Sequence, residues 1–313
     1  MSHHKRPGSG ANALADLAEY ERIFLPDPLG TRRQNRLWRC AGYSDERLRP
    51  SFRETAGLRR GHADPLPLDQ VFMTLEGATI LITGSNRGLG RTLVGAGLEV
   101  GAKKIYAAAR CSADVANDDP RIVPIELDVC DPASIERARA TCGDVDILIN
   151  NAASLANAST YRAKALAPAR TEMETNFWGL VGMCRAFAPV LEGREGSAIV
   201  NILSMGALAG IPFCGSYCAS KAAAWSFTQA LRLELAASGT AVVAVFPGPI
   251  ATEMARPHER EGRWPAEEVA RAIYEGLARG DPHIFPDPVA QSVAASYAAD
   301  PWGLPTRFAG SID

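Results

Sequence analysis

The chain has 313 residues, 47% of them hydrophobic and 22% charged, enough to bury one large α/β core or two small ones; a single domain with an appendage is expected. A net charge of −2 offers no electrostatic footprint for nucleic acid or an anionic membrane surface. No window approaches the ~20 uninterrupted apolar residues of a membrane helix, and the polar N-terminus lacks the apolar centre of a secretory signal, so cytoplasmic small-molecule work is expected.

Residues 1–72 differ in composition from the rest of the chain, with 12 Lys and Arg against 9 Asp and Glu, and with six scattered prolines. One short helix over 13–24 is expected, since Leu14, Leu17 and Tyr20 fall near one face, but no sustained hydrophobic period could support a core. The segment reads as an N-terminal extension, disordered or loosely docked, ahead of a domain over 73–313. Arg32, Arg33, Arg36 and Arg39 would suit an acidic partner, although interleaved acids favour a solvated segment. Met73 offers an alternative start, because 73–77 leads straight into the first strand. The seven cysteines are odd in number and form no CxxC pair, the usage of reduced, structural thiols. Cys214 and Cys218 are spaced like a metal pair, but no histidine cluster completes such a site, so no metal is expected.

Residues 78–83 (ATILIT) form a short apolar run rich in β-branched residues, bounded by glycines, and read as a buried parallel strand. The turn Thr83-Gly84-Ser85-Asn86-Arg87-Gly88-Leu89-Gly90 comes next, and then an amphipathic segment containing Leu93, Val94, Leu98 and Val100. Glycines there let the backbone approach a pyrophosphate, whose charge the free amides of the next helix's first turn bind. A second strand, 105–109, ends about twenty residues past the last glycine, where an NAD enzyme places an acid on the ribose 2′-hydroxyl. This chain has Arg110 there. A guanidinium pairs with a 2′-phosphate, and Arg87 in the glycine turn is within reach of the same group, so NADP(H) is favoured over NAD(H). Further strands are expected at 122–127, leading to Asp128 and Val129, and at 146–150, leading to Asn150-Asn151-Ala152-Ala153. Between them, 132–140 reads as a helix with Asp131 as N-cap and Pro132 at its first position. Alternating strand and helix give a doubly wound parallel sheet, a Rossmann fold, with its site outside the carboxyl ends of the strands.

A helical stretch through Asn176 leads to a strand, 197–203, that delivers Ser204 at its end; Tyr217 lies thirteen residues later and Lys221 four after that. On a helix, Tyr217 and Lys221 share one face with a rise of roughly 6 Å between them. A free tyrosine titrates near ~10, and a nearby ammonium favours the phenolate; lowering that value by about 3 units takes about 4 kcal/mol. Taken together, the glycine turn, Asn150 to Ala153, the set Asn176, Ser204, Tyr217 and Lys221, and Pro247-Gly248-Pro249-Ile250-Ala251-Thr252 resemble the short-chain dehydrogenase/reductase family. The likeness is to its shorter single-domain form, over about 73–285, with a core of about 77–285.

The resemblance implies roles by position. Tyr217 would exchange a proton with the substrate oxygen while hydride passes to or from the nicotinamide, and Lys221 would lower the tyrosine's pKa and hold the nicotinamide ribose. Ser204 would hydrogen-bond the substrate oxygen, and Asn176 would fix a water linking Lys221 to solvent. Gly84, Asn86, Arg87, Gly88, Leu89 and Gly90 would line the pyrophosphate site, with Asp128 and Val129 on the adenine side. Asn150 and Ala152 would form the cofactor wall and Ile250 with Thr252 the nicotinamide clamp, while Pro247 and Gly248 would also bind the cofactor. Ala153 departs from the family's usual glycine. The loop 251–264 would cover the pocket, with Met254 or Trp264 presenting apolar surface and His258 solvated. Residues 154–158 and 205–213, small or apolar, would form the other walls and favour an apolar ketone, aldehyde or alcohol. Helices 172–191 and 216–235 match those through which family members pair, implying a homodimer or homotetramer. The tail after Phe285, with four prolines, is expected to hold no long regular element. Competing readings are a cofactor-binding regulatory protein that has lost chemistry, which would usually lack Tyr217 or Lys221, and a scaffold tethered through 1–72.

Overall fold

The computed structural model describes residues 73–156, 161, 163–253 and 263–311. The expectations for 1–72, for Met254 and His258 and for 157–158 lie outside the described residues. Seven parallel strands form one sheet in the order β3-β2-β1-β4-β5-β6-β7. In chain order, β1 (Thr79–Thr83) leads to α1 (Gly88–Glu99), β2 (Lys104–Ala109) to β3 (Ile122–Glu126), and α2 (Pro132–Thr141) to β4 (Ile147–Asn150). Then come α3 (Ala167–Met173), a single π-helical turn (Glu174–Gly179), α4 (Leu180–Leu191), β5 (Ala198–Ile202), α5 (Gly215–Leu235), β6 (Ala241–Val245), α6 (Ala266–Arg279), β7 (His283–Ile284) and α7 (Pro288–Ala299).

Both sheet faces are covered, which is why the strands read as continuous apolar runs. Ile80, Ile82, Ile147, Ile149, Val200 and Val243 point to one face and pack on Leu93 of α1 and Val269, Ile273 and Tyr274 of α6. The intervening Leu81, Leu148, Ile199 and Val242 point to the other face, against Ile135 of α2, Met183 and Phe187 of α4 and Leu231 of α5. Full burial of each such aliphatic side chain contributes about 1.5–3 kcal/mol relative to exposure. The α2 start is as its sequence dictates: the Asp131 carboxylate accepts from the Ala133 amide at 2.9 Å, with Pro132 at the first helical position.

The tail departs from expectation. Pro288 opens a 12-residue helix instead of excluding one, because it occupies the first helical position, where a missing N–H costs nothing. The buried Asp287 caps it, accepting from Ala290 N at 2.9 Å, and also accepts from Gly248 N at 2.7 Å. The tail is therefore tied to the turn after β6. Asp287→Ala removes both bonds and leaves a buried amide unpaired, and it lowers stability by about 1–3 kcal/mol in denaturant titration.

The strand order reverses between β1 and β4, and at this switch point the carboxyl ends of neighbouring strands open a crevice where ligands of such sheets bind.

Candidate active site

The glycine turn lies in that crevice. Gly84 and Gly88 have φ of +68° and +51°, the left-handed region that glycine enters without strain. A Cβ on Gly84 would lie 3.0 Å from Ala152 Cα, and one on Gly90 would overlap the Gly84 carbonyl oxygen. The turn is laced to the end of β4. Thr83 Oγ1 accepts from the amides of Asn151 and Ala152, both at 2.9 Å, and Asn151 Nδ2 donates to the Thr83 and Gly84 carbonyls at 2.9 and 3.1 Å. The opposite bank is the turn after β6: a Cβ on Gly88 would meet Thr252 at 3.4 Å, and Arg87 pairs with Glu253 at 3.8 Å. Thus Gly84 to Gly90, Asn150 to Ala152 and Thr252 converge on one groove.

Arg110 stands exposed just beyond β2 and forms no hydrogen bond or ion pair with any described residue. Asp128 is half-buried just beyond β3; its carboxylate accepts from Cys130 N at 2.9 Å, and its amide donates to Ser134 Oγ at 3.1 Å. Val129 packs so closely on the π-helical turn that a Cβ on Gly179 would come within 2.8 Å of it.

Ser204 stands two residues after β5 and caps a short 3₁₀ turn, accepting from Gly206 N at 3.1 Å. Its hydroxyl neighbours the Tyr217 phenol and favours the phenolate. One turn along α5, Lys221 is buried, with Nζ 5.8 Å from the centre of the Tyr217 ring. The Lys221 ammonium donates to the Ile202 carbonyl at 2.8 Å, its single hydrogen bond to a described residue. Asn176, in the π-helical turn, accepts from Ser154 N at 2.7 Å and donates to Ser154 O and Ser220 Oγ, both at 2.9 Å. Its side chain is thus committed to the 154 loop and α5.

A sequence model of the family described as short chain dehydrogenase matches residues 78–262, more than half of the chain. The chain belongs to the short-chain dehydrogenase family. Among the relatives of this short-chain dehydrogenase, a sorbitol dehydrogenase from Cereibacter sphaeroides is 36% identical over 219 residues, 67% of this chain and 81% of that protein. An NADP-dependent 3-hydroxy acid dehydrogenase from Schizosaccharomyces pombe is 30% identical over 191 residues, 57% and 74% of the two chains. The crystal structure of a short chain dehydrogenase from Burkholderia cenocepacia in complex with NADP superposes with a TM-score of 0.72 at 38% identity, covering 75% of this chain and 99% of that one. The protein is an oxidoreductase of the family, acting on CH–OH groups of small molecules.

The electrostatics of this short-chain dehydrogenase differ from the sequence expectation. Burial pushes the Tyr217 phenol above its usual value near 10; Cys218, Cys214 and Glu172 act in the same sense, and only Ser204 opposes them. Lys221 is engaged elsewhere in the ligand-free protein. The ammonium is turned to the Ile202 carbonyl, and burial lowers its own pKa to about 8. In the ligand-free protein, desolvation of the phenolate outweighs attraction to a partner that is itself poorly solvated. The phenol is therefore protonated at neutral pH.

Two other expectations are corrected or narrowed. Trp264 bridges to Ile250 and packs on the core shared with α1 and α6. The apolar cluster at Tyr217 contains Ile211, Cys214 and Cys218, with Leu155, Met205, Phe213 and, from the C-terminal segment, Phe308. The 205–213 stretch thus contributes three side chains to it, whereas Phe308 had no sequence signal. Nor did Glu172, a carboxylate fully buried in α3, or Asp287 behind the turn after β6. Among the described residues no helix is long and apolar enough to cross a membrane, and no group of three or more His, Cys, Asp or Glu side chains could hold a metal ion.

Proposed function

We propose that the chain is an NADP(H)-dependent oxidoreductase that interconverts an apolar ketone or aldehyde with its alcohol. The observation that carries this reading is the meeting of Tyr217, Ser204 and the buried Lys221 at the carboxyl end of β5, on the same edge of the sheet as the glycine turn. The cofactor's fit is supported by the space that only glycine leaves at positions 84 and 90, and by the exposed guanidinium of Arg110 beyond β2. Gly84, Asn86, Arg87, Gly88, Leu89 and Gly90 would hold the pyrophosphate, Arg110 and Arg87 the 2′-phosphate, and Asp128 and Val129 the adenine side. Asn150 and Ala152 would wall the groove, and Pro247, Gly248, Ile250 and Thr252 the nicotinamide end. When bound, the cofactor supplies or accepts the hydride.

The chain's own residues handle the proton. Ser204 places the substrate oxygen against the phenol. Tyr217, protonated at rest, gives its proton to that oxygen during reduction and takes it back during oxidation. Lys221, turned from the Ile202 carbonyl when the cofactor binds, would hold the nicotinamide ribose and stabilise the phenolate as it forms. Asn176 holds the wall at Ser154; with its side chain so committed, a water leading to Lys221 would rest on the backbone of the π-helical turn. Leu155, Met205, Ile211, Phe213 and Phe308 exclude water from the site and favour an apolar substrate. Trp178 and Leu233 are 55% and 68% exposed on the helices proposed for pairing, and mass measurement in solution is expected to give a dimer or tetramer.

The test of function is NADPH oxidation against cyclohexanone, acetophenone, benzaldehyde and menadione. Turnover of at least one carbonyl is expected, and saturable NADPH binding without any turnover would favour the regulatory alternative. Arg110→Glu is expected to weaken NADPH binding about 10- to 100-fold with little effect on NADH, as loss of charge-assisted bonds to a phosphate requires. An unchanged NADPH to NADH affinity ratio would remove the basis for the NADP(H) assignment.

A further inference from the structure

Glu172 is fully buried, and the proton chemistry at Tyr217 makes no direct use of it. Taking a carboxylate out of water costs several kcal/mol, and an apolar residue at this place would avoid that cost. Both of its oxygens are engaged: Oε1 accepts from the Ala156 amide at 2.7 Å and Oε2 from the Ser216 hydroxyl at 2.5 Å. Asn176, four positions on, has the same pattern. It binds the Ser154 backbone twice and donates to Ser220. Each of these side chains therefore joins the 154–156 backbone to α5, and their two anchor points there, Ser216 and Ser220, flank Tyr217. Between Ser154 and Ala156, Leu155 packs in the same apolar cluster as the Tyr217 ring.

We propose that Glu172 is a positioning residue of this active site, clamping the pocket wall at 154–156 to the first turn of α5 so that Leu155 and Tyr217 meet the substrate in one fixed arrangement. The inference rests on Tyr217 being the proton-transfer group. The clamp is also a charge. The groups facing Tyr217 are Ser204 from the end of β5, Cys214, Cys218 and Lys221 from α5 and its entry turn, and Glu172 from α3. After burial and the two thiols, Glu172 opposes ionisation of the phenol. Removing its charge makes the phenol easier to ionise, so in the direction of carbonyl reduction, which needs the protonated phenol, the alkaline fall in rate moves to lower pH.

The test uses the full-length chain with NADPH and benzaldehyde. Glu172→Gln keeps both contacts, the amide oxygen accepting from Ala156 N and the amide nitrogen donating to Ser216 Oγ, and removes only the charge. Its alkaline limb of kcat is expected at lower pH, with NADPH affinity unchanged. Glu172→Leu removes the clamp; kcat is expected to fall about 10- to 100-fold, the cost of misplacing reacting groups by about 1 Å, again with NADPH affinity unchanged. Hydrogen exchange at the Ala156 amide is expected to accelerate in the same variant. If Glu172→Leu fails to fold, Ser216→Ala, which opens one side of the clamp, is expected to lower kcat in its place. Parental kcat in the clamp variant overturns the proposal, whereas an alkaline limb unmoved in Glu172→Gln means that the clamp acts by position and not by charge. Lack of turnover by the parent chain overturns the proposed function instead, while the exchange rate at Ala156 still decides whether the clamp exists.

Discussion

Replacing Tyr217 by phenylalanine lowers kcat for carbonyl reduction by about 10²- to 10⁴-fold, the usual contribution of a positioned general acid, and leaves NADPH binding unchanged. The substitution deletes one oxygen. The ring keeps its place against Leu155, Met205 and Phe213, so packing is not perturbed. What is lost is the proton donor beside Ser204. Because burial holds the phenol protonated through the neutral range, the parent's reduction rate has no acid requirement to meet below the phenol's pKa in the complex. The variant's residual rate depends on protons from solvent and therefore falls as pH rises across that range. Steady-state rates of the two proteins, measured over the same pH series, check both statements. Full turnover by Tyr217→Phe would mean that the proton comes from elsewhere.

The second large effect is on cofactor binding. In Gly90→Ala the new methyl overlaps the Gly84 carbonyl and presses on Asn151 Nδ2, which itself donates to that carbonyl. Neither neighbour is the free end of a flexible side chain. The turn has to open or α1 has to shift, and overpacking of this kind costs about 1–3 kcal/mol. The strain falls where the pyrophosphate is proposed to sit, so the NADPH dissociation constant rises about 10- to 100-fold. Fluorescence titration of the folded variant measures this directly. The substitution Gly95→Ala is the control, since nothing lies within 4 Å of the added methyl.

The parts of the fold that are legible in the sequence share a physical reason. Strands buried on both faces are predominantly apolar, so 78–83 and 197–203 show themselves as short runs rich in aliphatic side chains, trimmed in the structure to Thr79–Thr83 and Ala198–Ile202. A turn with positive φ and no room for side chains requires glycine, which makes 84–90 readable. Asp131 and Pro132 announce α2 because capping is local.

What is not legible depends on tertiary surroundings. Pro288 reads as a breaker by its identity, whereas its place one residue after the capping Asp287 is what decides its effect. The π-helical turn at Asn176 is invisible in 174–179, which reads as ordinary helix, and its bonds to Ser154 and Ser220 involve residues distant in sequence. Glu172 looks like any surface acid until Ala156 and Ser216 close over it. The spacing of Tyr217 and Lys221 is plain in the sequence, but the sign of the phenol's shift is not, because desolvation is set by how the pocket closes around it.

If the proposed function holds, this site moves hydride and proton together between cofactor and carbonyl. NADPH carrying deuterium at nicotinamide C4 is to be incubated with the protein and each carbonyl of the panel, and the products read by deuterium NMR. Deuterium is expected on the carbinol carbon of at least one product, formed at a rate that collapses in Tyr217→Phe. Bound NADPH with no deuterium transferred to any carbonyl, or transfer that proceeds equally well in Tyr217→Phe, would contradict that coupling of hydride and proton.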